Sequence, residues 1–153
     1  MDEKISKIAN LYVATLRSLY LIQTNAHWCV RGKSFYGDHL LFERLYKNSA
    51  ETADLAAEKM VGLFNEEGLD MESQADFICK LLSKYRGKEL HKLCLKMEQD
   101  FLAFSEQAYE FFEDEGLLTL GLDDMIMSIA SKHEEACYLL QQALAEEELD
   151  ALD

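Results

Sequence analysis

Between positions 27 and 58 the chain carries two histidines and three carboxylates of a kind that can hold a metal: His27, His39, Glu43, Asp54 and Glu58. His39 and Glu43 are four residues apart, as are Asp54 and Glu58. On a helix that spacing puts each pair on one face, close enough to share an ion. Imidazole together with carboxylate suits iron, and also zinc or manganese. A single histidine is more often structural than a ligand. Five donors in register, set among aromatic residues and glycines, point to a metal instead.

Reach then limits how these residues can combine. Fifteen residues separate His39 from Asp54, which at about 1.5 Å per residue is roughly 22 Å along one helix. His27 lies beside His39 and is equally remote from the acid pair. One chain therefore carries two half-sites. If a second copy packs antiparallel across a two-fold axis, the histidine half of one meets the carboxylate half of the other, twice per dimer. The rival arrangement, Glu-x-x-His motifs inside a single bundle, is disfavoured, because the residues three before the four histidines are Thr24, Tyr36, Lys88 and Ala130.

The elements that must position these groups follow from apolar periodicity. Ile5, Ile8, Tyr12, Leu16, Leu19 and Ile22 make one helical stripe that ends near Gly32. Ser34 can cap a second helix with the stripe Leu41, Leu45, Ala53, Ala57 and Met60, running out near Asn65 and Gly68. A third stripe, Leu90, Leu93, Met97, Phe101, Phe104, Ala108 and Phe111, stops near Gly116. The fourth, Leu122, Ile126, Ile129, His133, Ala136, Leu140 and Leu144, ends in an acidic tail. Two hairpins result, and the roughly twenty residues joining them can form a short helix over Asp76 to Lys84. The expected fold is all-α: a ferritin-like four-helix bundle whose long crossover between the second and third long helices carries a short helix, in a single domain over residues 1–153.

Composition agrees. There is no proline and there are seven glycines, so little opposes helix. A formal charge of −14, from 29 acidic and 15 basic residues, attracts cations and repels polyanions, which makes nucleic acid a poor partner. The four cysteines, Cys29, Cys79, Cys94 and Cys137, form no paired motif and are expected to be reduced and buried as small apolar residues. With no leader and no long apolar run, the protein is expected in the cytoplasm, away from membranes.

The run from His27 to Glu58, H-W-x3-G-x2-F-x3-H-x3-E-x10-D-x3-E, resembles the ferroxidase signature of the Dps family, the miniferritins of the ferritin-like superfamily. That resemblance implies that His27 and His39 are ligands from one subunit, Asp54 and Glu58 ligands from its two-fold partner, and Glu43 an auxiliary group, with Trp28 the aromatic neighbour. It also implies Fe(II) oxidation by H2O2, or more slowly O2, protection against oxidative damage, and storage of ferric mineral in a dodecameric cage built from two-fold dimers. Zinc is a competing occupant. Because imidazole binds metal only when neutral, activity is expected to fall below about pH 6.

Weaker readings stand beside these. Asp123 and Asp124 could line an acidic pore or merely favour a first helical turn. Glu51 could help nucleate mineral. His133-Glu134 resembles a histidine-glutamate pair of the family, while His133 alone reads as a core or capping residue. DNA binding by a lysine-rich tail is not expected, since the chain finishes in Ala145-Glu146-Glu147-Glu148-Leu149-Asp150-Ala151-Leu152-Asp153. Tyr138, standing near where many relatives have tryptophan, is expected to alter only packing.

Overall fold

The computed structural model describes residues 3–65 and 69–152, the side chains of residues 146–151 excepted. Gly68, named above as a helix end, and the acidic side chains of the tail lie outside the described residues. Five helices make up the rest: α1 (Glu3–Cys29), α2 (Phe35–Phe64), α3 (Met71–Lys84), α4 (Leu90–Asp114) and α5 (Leu120–Leu152). There is no strand among the described residues. None of these helices is long and apolar enough to cross a membrane.

α1 packs on α2, α3 and α4, while α5 packs on α4 and α2. The four long helices therefore close a bundle as two hairpins, and α3 lies against α1 on the way from one hairpin to the other. Its N-terminus is marked by Asp70, whose carboxylate accepts the Ser73 N–H at 2.9 Å. That cap starts the helix five residues earlier than the apolar pattern alone indicated. Ser34 does precede α2, but its side chain makes no cap bond. The turn there depends on Gly32, at φ +106°, a conformation L side chains rarely adopt; its carbonyl accepts the Phe35 N–H at 3.1 Å.

The core is built from Tyr12, Leu16 and Leu19 of α1, Phe42, Leu45 and Met60 of α2, Met97, Phe101 and Phe112 of α4, and Leu122, Ile129 and Leu140 of α5. Of the stripes expected on α2 and α4, Leu45, Ala53, Met60, Met97, Phe101 and Ala108 are buried, but the buried face extends to one side of them. Phe42, Ser49, Thr52 and Ala56 go in on α2, and Cys94, Glu98, Ser105 and Phe112 on α4, leaving Leu41, Leu93, Phe104 and Phe111 half-buried. The physical reason is polar. Glu98 and His133, both wholly buried, bond through Oε2 and Nδ1 at 2.6 Å. The Gln23 amide donates to Glu98 Oε1 at 2.6 Å, the Ser49 hydroxyl donates to Gln23 Oε1 at 2.6 Å, and Thr52 Oγ1 meets His133 Nε2 at 2.9 Å. One residue or more from each long helix joins this network, and a buried polar group without a partner is costly, so the helices pack to satisfy it.

Two of the four cysteine expectations are corrected. Cys94 and Cys137 are buried, whereas Cys29 and Cys79 are exposed. Cys29 is the last residue of α1, where the chain leaves the bundle, and Cys79 lies on the outer face of α3.

Candidate metal centre

The tight α1–α2 turn brings the ends of two helices together and with them His27 and His39. Their rings stack at a centroid distance of 3.7 Å, inclined by 16°. His27 Nδ1 lies 2.7 Å from the His39 carbonyl and His39 Nδ1 lies 2.8 Å from the His27 carbonyl. A carbonyl oxygen can only accept, so each Nδ1 must carry the proton and donate it. In the neutral ring this leaves Nε2 as the bare lone pair. The reciprocal bonds fix tautomer and ring orientation of both imidazoles at once, which is how histidine is prepared for metal.

Aromatic rings support the pair. Phe35 stacks on His39 at 5.1 Å, and Tyr46 meets His27 edge-on at 5.3 Å. Trp28 is 72% exposed and stands away from both within one chain. Glu43, one turn beyond His39, is half-buried and pairs with Lys47 at 3.1 Å. Such an exposed pair holds little energy and a cation of higher charge would displace it easily.

Asp54 and Glu58 lie further along α2, both exposed and without an ion pair among the described residues. Asp54 sits at the rim of a cavity of about 420 Å³ between α1, α2 and α3, walled by Arg17, Tyr20, Ala53 and Ile78 among others. Among the described residues no three His, Cys, Asp or Glu side chains come together as a metal would need. The chain thus brings His27 and His39 together, with Glu43 one turn further along α2 paired with Lys47, and holds Asp54 and Glu58 further along the same helix.

Other candidates have found their places. His133 is a core residue bonded to Glu98, and Glu134 beside it is exposed. His91 is buried against Asp38 at 3.1 Å. Asp123 is half-buried in the first turn of α5 and Asp124, the next residue, is exposed; Thr119 caps that turn by accepting the Leu122 N–H at 3.0 Å. Glu51 is exposed on α2. Tyr138 is 58% exposed, so its ring fills no core position. Sequence reading missed Glu98, Gln23, Ser49 and Thr52. The usable signal was an acid inside an apolar stripe, four residues after Cys94 and three before Phe101.

Helix order, the crossover with its short helix and the central packing define a ferritin-like helical bundle. Within that class the chain has the fold of Dps proteins. It matches Dps from Thermosynechococcus elongatus with a TM-score of 0.79 at 20% identity, covering 93% of this chain and 90% of that one. It matches Dps from Microbacterium arborescens in its high iron form with a TM-score of 0.73, again at 20% identity, covering 95% and 97%. In sequence it is 26% identical over 148 residues to general stress protein 20U of Bacillus subtilis (strain 168), covering 94% of this chain and 99% of that protein. No family model matches the chain.

Proposed function

We propose that this is a Dps-type iron storage and detoxification protein, a cytoplasmic ferroxidase whose sites are completed between two copies. The observation that carries the reading is the His27–His39 pair. Two imidazoles held by each other's backbone carbonyls keep both Nε2 lone pairs left over and fixed in orientation, a donor pair that a cation can use. Fe(II) would bind these two nitrogens from one copy and the Asp54 and Glu58 carboxylates from the other, with Glu43 available as a further oxygen donor. The carboxylates favour the harder Fe(III) as it forms. Two Fe(II) each give one electron to H2O2, which takes up two protons and leaves as two waters; O2 serves more slowly. Ferric iron then passes to the interior of a homo-oligomeric shell, a dodecamer of two-fold dimers. Asp123, Asp124 and Glu51 are the acids suited to guide iron in and seed mineral.

What supports the cage and the chemistry is the Dps fold, its likeness to a Dps structure in a high iron form, and a charge of −14 that draws cations to the particle. Anaerobic loading of the iron-free protein with Fe(II), followed by peroxide, is expected to give ferric absorbance that is abolished in the double variant His27→Ala, Asp54→Ala. Equal absorbance from the double variant, or none from the parent, would leave a non-catalytic assembly holding zinc or nothing. Repeating the parent assay with Zn(II) added first is expected to slow oxidation.

A further inference from the structure

Outside the metal half-sites the described surface holds one concave region whose charge runs against that of the chain. A cavity of about 840 Å³ opens where the α1–α2 turn meets the α3–α4 turn and the far end of α5. Arg31, Lys88 and Lys92 line it, with Val30, Leu90 and Leu144 as apolar wall. Lys33 and Arg86 lie on the same two turns but not in the lining. Of the acids in the lining, Glu89 pairs with Lys92 at 3.2 Å, and Asp38 lies 3.1 Å from His91, a contact that offsets its charge only when the imidazole is protonated. Arg31 and Lys88 have no ion pair among the described residues. Asn25 adds an amide, its Oδ1 already accepting from the Cys29 thiol at 3.7 Å.

We infer that this cavity binds a phosphate group, free or on a small phosphomonoester. Arg31 and Lys88, from separate turns and without ion pairs of their own among the described residues, can meet a phosphate group from two sides. The arginine fork bonds two phosphate oxygens side by side while lysine acts as a point charge. The volume falls within the roughly 300–1,000 Å³ of small-molecule sites and exceeds what a bare phosphate fills. The apolar wall offers a surface for an organic body. A polyanion meets a different field, because it must also lie within a Debye length, about 8 Å at physiological salt, of other parts of a chain whose net charge is −14.

The test is calorimetric titration of the full-length, iron-free protein at pH 7.5 with inorganic phosphate, with adenosine monophosphate and with a short single-stranded oligonucleotide. Saturable binding of at least one small phosphate is expected, weakened at least about tenfold by Arg31→Gln with Lys88→Gln, and unchanged by Lys7→Gln on the opposite end of α1. Equal affinity for the two small probes assigns the site to free phosphate; tighter adenosine monophosphate assigns it to a monoester. Both substituted side chains are exposed, and circular dichroism checks that the variant is folded. No saturable heat from either small probe, binding untouched by the double variant, or binding of the oligonucleotide alone would each overturn the inference.

Discussion

Single residues divide into those whose chemistry shows in the sequence and those whose role exists only after folding. Four of the five candidate ligands, His39, Glu43, Asp54 and Glu58, belong to the first kind, because a helical spacing of four carries its own geometry. Glu98 belongs to the second: its place within an apolar stripe hints that it faces inward, but its partner is known only when His133, 35 positions away, is seen to meet it. Glu98→Ala would leave His133 and the Gln23 amide buried without their acceptor. Breaking a buried pair of this kind costs about 3–5 kcal/mol, so urea unfolding at pH 7 is expected to show a loss of that size, with Glu98→Gln less damaging. A variant as stable as the parent would mean that the network contributes little. The cysteines give a second prediction. Burial, with Glu98 nearby, pushes the Cys94 thiol far up, and burial with Glu98 and Glu134 pushes Cys137 up to about 11. Both stay protonated and shielded near neutral pH, where thiolate is the reactive form. Titration with a disulfide reagent is expected to find two reactive thiols in the native protein, Cys29 and Cys79, and four in denaturant.

At the scale of elements, the long helices were readable from period and composition, and so was the crossover; their ends and the full width of their buried faces were less so. α2 and α4 bury residues to one side of the apolar stripe because polar partners had to be met inside. α3 began early because Asp70 caps it, a signal of one side chain that a search for apolar stripes passes over. The Ser73 hydroxyl and then its backbone N–H hold the Asp70 carboxyl below its usual value of 3.8. A folded value below the unfolded one means the cap's stabilisation is complete above about pH 4 and disappears as pH falls through the lower, folded value. Asp70→Ala is therefore expected to melt below the parent at pH 7, with the gap closing toward pH 3. A gap that persists in acid would show that the carboxylate charge is not what holds the helix start. Gly32 makes the other sharp demand. Gly32→Ala forces a side chain into φ +106° at a cost above about 1 kcal/mol, and a shifted turn would also pull His27 from His39, so iron oxidation should drop along with stability.

For the molecule as a whole, what the sequence could settle was a distance and what it could not was a partner. Asp54 and Glu58 cannot approach His27 and His39 along one straight α2, so the proposed centre needs a second copy, and that requirement can be tested without seeing the assembly. Take one variant lacking the histidine half, His27→Ala with His39→Ala, and another lacking the acid half, Asp54→Ala with Glu58→Ala. Neither alone can complete any site. In a mixed dimer one of the two sites pairs two damaged halves, but the other pairs two intact halves. Co-assembly of equal amounts by random pairing makes half the dimers mixed and so restores about a quarter of the parental sites. Iron oxidation by the co-assembled sample should reach about that fraction of the parental rate, while the same two variants assembled separately and then combined stay near zero. Recovery on simple combination would point to subunit exchange, which a slow rise with time would reveal. If co-assembly restores nothing although mass spectrometry detects mixed oligomers, the two halves do not belong to one centre. If either variant alone keeps the parental rate, the half it lacks is not needed.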